Sequence, residues 1–186
     1  MTPHHDNHEP NTSRTIRLRY FVAFGVASVI MIALAGFNLV NVPAIPTETI
    51  SDKKFVNRAS GSCSRVLPVI RARRPGRKDV VSVAATIRGS RRDNADLKRL
   101  VAQLRTIETQ PEDAAKIDRW LNRWDDFTAV GDRYVRVLET TSDPTKWQSV
   151  ANEGNDDYLR ISAFARANAM TTCSLDQAFP RAAEDK

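Results

Sequence analysis

Apolar side chains recur at helical spacing along most of this chain, and one stretch is apolar without interruption. Tyr20 to Val40 carries no charged residue, and its one side-chain amide, Asn38, lies near the far end. Twenty-one helical residues rise roughly 31 Å, about the thickness of a bilayer's hydrocarbon core. The pattern therefore predicts one membrane-spanning helix over 20–40. Beyond it, Val56, Ala59, Cys63, Val66 and Ile70 fall at steps of four and three on one face of a first helix. Val80, Val81, Ala84 and Ile87 begin a second helical region near Asp79, and Leu97, Leu100, Val101, Leu104 and Ile107 continue it as a clean stripe. Ile117, Trp120, Leu121, Trp124, Tyr134 and Leu138 mark a third helix that reaches as far as Glu139. A fourth is marked by Trp147, Val150, Tyr158, Ile161, Phe164 and Ala165, softened at Gly154.

Capping and breaking residues punctuate these stripes. Ser51 is placed to cap the first helix, Gly61 weakens it, Pro68 should kink it, and Pro75-Gly76 ends it. Gly89-Ser90 reads as an interruption of the second, with Ser90 and Asp93 as a capping pair that restarts it. Thr109, Pro111 and Glu112 suit a third N-terminus, and Ser142-Asp143-Pro144 suits a fourth. The fold class expected is all-α: one N-terminal transmembrane helix, then an exported antiparallel bundle of about four helices.

Charge sets the orientation. Arg14, Arg17 and Arg19 crowd the start of the apolar run, whereas the far side has no basic residue before Lys53. The positive-inside bias puts the N-terminus in the cytoplasm and the large domain across the plasma membrane. A removable signal peptide, cut after Ala35 or Ala44, is the competing reading and would release a secreted domain. Phe37 stands where a lipoprotein box needs cysteine, so no lipid is attached there. The expected organisation is a disordered tail over 1–19, the membrane helix over 20–40, a spacer over 41–50, the bundle over 51–175 and a flexible tail over 176–186.

The chain has 186 residues, and both cysteines, Cys63 and Cys173, fall in the exported part. In an oxidising compartment one disulfide between them is the default, against two unpaired buried thiols. A Leu-x-x-Ile segment (Leu104, Ile107), a helix begun by Pro111 and a long helix ending shortly before Cys173 together resemble the small actinobacterial membrane-anchored or secreted helical-bundle envelope proteins of unknown function. The similarity covers about Leu97 to Leu175 plus the anchor. That resemblance implies an N-terminal anchor or signal, an exported helical bundle and an early cysteine bonded to the late one. It supplies no catalytic residue. Such proteins commonly carry Gly-Leu before the last cysteine, where this chain has Ala169-Met170.

The overall charge of +6 is unevenly spread. From Lys53 to Arg92 there are twelve Lys and Arg against one acid, Asp79, a net of +11; from Asp93 to Lys186 there are thirteen against seventeen, a net of −4. The densest part, Arg71, Arg73, Arg74, Arg77 and Lys78, is a candidate contact surface for an envelope protein, anionic lipid or wall polymer. The plainer reading is a solvated turn neutralised by acidic helices of the same domain. No nucleic-acid recognition motif accompanies the positive charge.

No phosphate loop, HExxH or GxSxG is present, and no histidine follows His8 to serve a nucleophile. His4, His5 and His8 sit on an unscaffolded tail, a poor metal site. Asp125-Asp126 and Asp156-Asp157 are adjacent on helices and do not face one another. Neither an enzyme nor a cofactor or metal is expected. The expected function is a membrane-anchored, non-catalytic interaction module. The alternative is a small-ligand binding or sensing bundle, in which Trp120, Trp124, Trp147 and Tyr158 would line an internal cavity.

Overall fold

The computed structural model describes residues 48–74 and 81–180. Among them every regular element is helical. α1 runs Lys53–Ala72, α2 Val83–Arg105, α3 Pro111–Thr140, α4 Pro144–Glu153 and α5 Asn155–Ala167; two 3-10 turns follow, Thr171–Cys173 and Leu175–Gln177. The predicted N-terminal tail, the Tyr20–Val40 helix and most of the spacer lie outside the described residues, as do Arg77 and Lys78. No helix among the described residues is long and apolar enough to cross a membrane.

The apolar stripes become a main core and a smaller cluster beside it. Val56, Ala59, Cys63 and Ile70 of α1 meet Leu97, Leu100 and Leu104 of α2, Ile117, Trp120 and Trp124 of α3, and Ile161 and Ala165 of α5. Tyr134, Leu138 and Trp147 form a second, smaller cluster at the far end of α3. Polar pairs fix the directions. Arg105 reaches Asp125 while Lys98 reaches Asp132 and Arg91 reaches Glu139, so α2 and α3 run antiparallel. Trp120 Nε1 donates to the Ile161 carbonyl and Arg123 pairs with Asp157, which sets α5 antiparallel to α3 as well.

Several local expectations are corrected. α2 starts at Val83 under a Ser82 cap rather than near Asp79, and it runs unbroken through Gly89-Ser90. A mid-helix glycine costs only about 1 kcal/mol, and no competing cap forms, because Asp93 is buried rather than capping Ser90. α1 contains Pro68 and, as expected, ends short of Pro75-Gly76, at Ala72. The fourth helix divides at Gly154 into α4 and α5. The folded unit also outruns its predicted limits, since Ile50, Ala178 and Phe179 are buried.

Two aspartates clamp the helix starts to each other. Asp52, not Ser51, caps α1 by accepting from Phe55 N, and its second oxygen accepts from Gln110 N at the start of α3, where Thr109 makes no cap. Asp113, in the first turn of α3, returns the contact: its carboxylate accepts from the backbone and hydroxyl of Ser51, from Asp52 N and from Lys116. Burial pushes the Asp113 carboxyl up, but the Lys116, Ser51 and Asp52 donors outweigh that and hold it at about 2.

The C-terminal end of α5 closes in a Schellman turn, with Met170 N donating to Ala165 O at 2.8 Å and Ala169 N to Arg166 O at 3.2 Å. Ala169 pivots this turn at φ 57°, a left-handed conformation that favours glycine. Ala169→Gly is therefore expected to stabilise the domain by about 1 kcal/mol, a rise of roughly 3 °C in Tm, read by thermal denaturation. The turn delivers Cys173 to Cys63, with Cα atoms 5.0 Å apart and both residues fully buried. One disulfide thus joins the first helix to the last segment, as the sequence leads one to expect.

Candidate ligand cleft

α2 packs tightly on α3 at Gly131. A side chain there would bring its Cβ to 2.5 Å from Asn94 Oδ1, so only hydrogen lets the Asn94 amide lie across α3. From that position Asn94 Nδ2 donates to Thr128 O at 3.0 Å and Asp132 Oδ1 at 2.7 Å. Gly154 stands at the α4–α5 junction, where a Cβ would make only ordinary contact with the Phe127 ring at 3.4 Å. Between these contacts, where the main core gives way to the second cluster, a cavity of about 110 Å³ remains. Its walls are chiefly apolar, built by Leu97, Phe127, Val130, Tyr134, Tyr158 and Phe179.

Arg74 and Asp93 are the charged residues at its edge. α1 ends at Ala72, and the next two arginines turn back onto α2: Arg73 binds Asp96 and lies 3.7 Å from Asp93, and Arg74 Nε stands 3.9 Å from Asp93 Oδ2. The Arg74 guanidinium also sits 4.0 Å over the centre of the Phe179 ring, a cation–π contact. Arg74 Nε is enclosed and has no hydrogen-bond acceptor. Burial pulls the Arg74 guanidinium down from its ordinary range, partly offset by Asp93 and Tyr134. Burial likewise pushes the Asp93 carboxyl up against the pull of Arg74 and Arg73, and pushes the Tyr134 phenol up. An enclosed donor beside a carboxylate, in an aromatic cavity, is suited to holding a small molecule with a polar end.

The structure separates the residues the sequence grouped. Of the aromatic set, Tyr158 alone lines the cavity, with its hydroxyl donating to Phe179 O. Trp120 stacks on Phe164 and meets Trp124 edge-on inside the core, and Trp147 donates to Thr141 O in the second cluster. Of the basic cluster, Arg71 is exposed, Arg73 pairs with Asp96 and Asp93, Arg74 Nε faces Asp93 at 3.9 Å without a hydrogen bond, and Arg77 and Lys78 lie outside the described residues. Asp93, Asn94, Tyr134 and Phe179 were not singled out for chemistry by the sequence. The available signal was glycine: Gly131, isolated in a helical pattern, marks a close approach and borders the cleft.

Compared with known proteins, the chain matches no family model, no curated protein and no solved structure.

Proposed function

We propose that this protein is an exported helical domain, tethered by Tyr20–Val40 with its N-terminus in the cytoplasm, that binds a small aromatic compound in the cleft beside Arg74 and acts by binding rather than by catalysis. One observation carries the reading: an enclosed arginine Nε without an acceptor at the edge of an aromatic cavity of about 110 Å³. A dry cavity of roughly 150 Å³ accepts benzene, so a cleft of about 110 Å³ holds no more than a single ring, with its carbonyl or carboxylate acceptor at the edge beside Arg74. The Cys63–Cys173 bond supports the exported setting, because such bonds persist in oxidising compartments.

Benzamide, benzoate and toluene test this directly. At about ten times its Kd a bound ligand adds about 1.4 kcal/mol, so benzamide or benzoate is expected to raise Tm by roughly 3–5 °C. The same titration should move the ring resonances of Phe127 and Phe179. Arg74→Met is expected to abolish the preference for the two acceptor-bearing probes over toluene. If no probe shifts Tm or those resonances, or if the preference survives in Arg74→Met, the cleft is not such a site.

A further inference from the structure

With Arg73 and Arg74 engaged inside the domain, the unmatched positive charge lies elsewhere. α1 contains no acidic residue over its 20 positions. At 100° per residue its buried side chains, Phe55, Ala59, Cys63 and Ile70 among them, point one way, and Lys53, Lys54, Arg58, Arg65 and Arg71 fall within an arc of roughly 150° on the other. All five are exposed. Lys54 reaches Glu108, itself an exposed pair, and Arg65 reaches the Ser62 hydroxyl. Val69, exposed at 53%, borders that arc. The result is a basic face roughly 30 Å long.

We infer that this face of α1 docks on anionic lipid headgroups of the membrane that carries the protein. The occupant follows from charge and reach. A face of cations along one helix matches a plane of repeated negative charges, each Lys or Arg near such a surface being worth about 1 kcal/mol. The inference rests on the anchor reading for its geometry. Glu48 to Ile50 are fixed to the domain by Asn168, which binds Ile50 N and Glu48 O. Val40 and Glu48 are eight residues apart, which span at most roughly 28 Å. The tether thus holds the start of α1 within roughly 30 Å of the bilayer, where weak headgroup contacts act at high effective concentration. Val69 supplies an apolar contact beside the charges, as interfacial helices use.

The test uses the full chain in nanodiscs of phosphatidylcholine alone or with phosphatidylglycerol. Acetylation of Lys53 and Lys54 and phenylglyoxal modification of Arg58, Arg65 and Arg71 are read by mass spectrometry. Docking is expected to slow modification at these residues by about threefold or more in the anionic discs only, and high salt should remove the protection by shortening the Debye length. Arg58→Glu with Arg65→Glu, both at exposed positions, should abolish the protection of Lys53 and Lys54 while Tm is kept. Equal modification in both lipids overturns the inference, as does protection that survives the charge reversals. Alkali-resistant association with the discs is scored separately and reports the anchor. A chain that fails to insert yet shows anionic protection supports docking and refutes the anchor, whereas an inserted chain without protection does the reverse.

Discussion

Replacing Cys63 and Cys173 together by alanine is expected to lower Tm by roughly 10–15 °C. The bond spans 110 residues of sequence, and in the chain-entropy model closing a loop of that size restricts the unfolded chain by about 4.7 kcal/mol, an upper figure. Alanine at both positions removes the link without leaving an unpaired thiol in the core, where both residues are fully buried. The loss should therefore report chiefly on the cross-link. Urea denaturation of wild type and the double variant, with and without reductant, checks it: reductant should weaken the wild type and leave the variant unchanged. A fall in Tm of less than about 3 °C would mean that α1 and the C-terminal turns hold together without the bond.

The second large effect concerns the paired caps. Asp52→Ala removes the acceptor for Phe55 N and for Gln110 N, donors at two different helix starts. Losing an N-cap and leaving an enclosed donor unpaired is expected to cost about 2–4 kcal/mol, or roughly 6–12 °C in Tm. Asp113→Asn is expected to act through pH. Folded Asp113 titrates near 2, below the ordinary aspartate value of 3.8, so the unfolded chain takes up its proton first as acid is added. The stability this carboxylate contributes is present in full above about pH 4 and is lost as pH falls towards 2. The Tm gap between wild type and Asp113→Asn should thus be widest at pH 5 to 7 and close towards pH 2. Asp93 and Asp157, whose carboxyls burial pushes up, run in the opposite sense. Both are common to the two proteins and cancel in the comparison. A gap independent of pH would place the value of Asp113 in shape rather than charge.

These effects lie where the sequence was least legible. Helical periodicity identified the core faces well: Ile117, Trp120, Leu121, Trp124, Tyr134 and Leu138 are all buried as their spacing implies. Periodicity reports which side of a helix is apolar, and a core needs little more. Capping was read less well, because Ser51 and Thr109 are each one residue from the true caps, and the Asp52–Asp113 exchange joins positions 61 residues apart that no local rule connects. The cleft was hidden for a related reason. Arg74 looked like one more charge in a basic turn, yet its partner Asp93 comes from α2 and its aromatic floor, Phe179, from a segment expected to be a flexible tail. Trp120 and Trp124, one turn apart on an apolar face, are in the core, as that spacing favours, because large apolar rings bury most surface there.

An exported domain that folds oxidised is the claim on which both the tether and the envelope setting turn, and the redox state of the two cysteines in living cells tests it most directly. Cells are quenched in acid, the protein is denatured in the presence of a polyethylene-glycol maleimide, and its gel mobility is read before and after reduction. The chain has two cysteines and no others, so the outcomes are distinct. An oxidised exported domain gives no mobility shift until reductant is added, and then a shift by two adducts. Two adducts without reductant would show the thiols free in the cell, contradicting the exported, disulfide-closed domain.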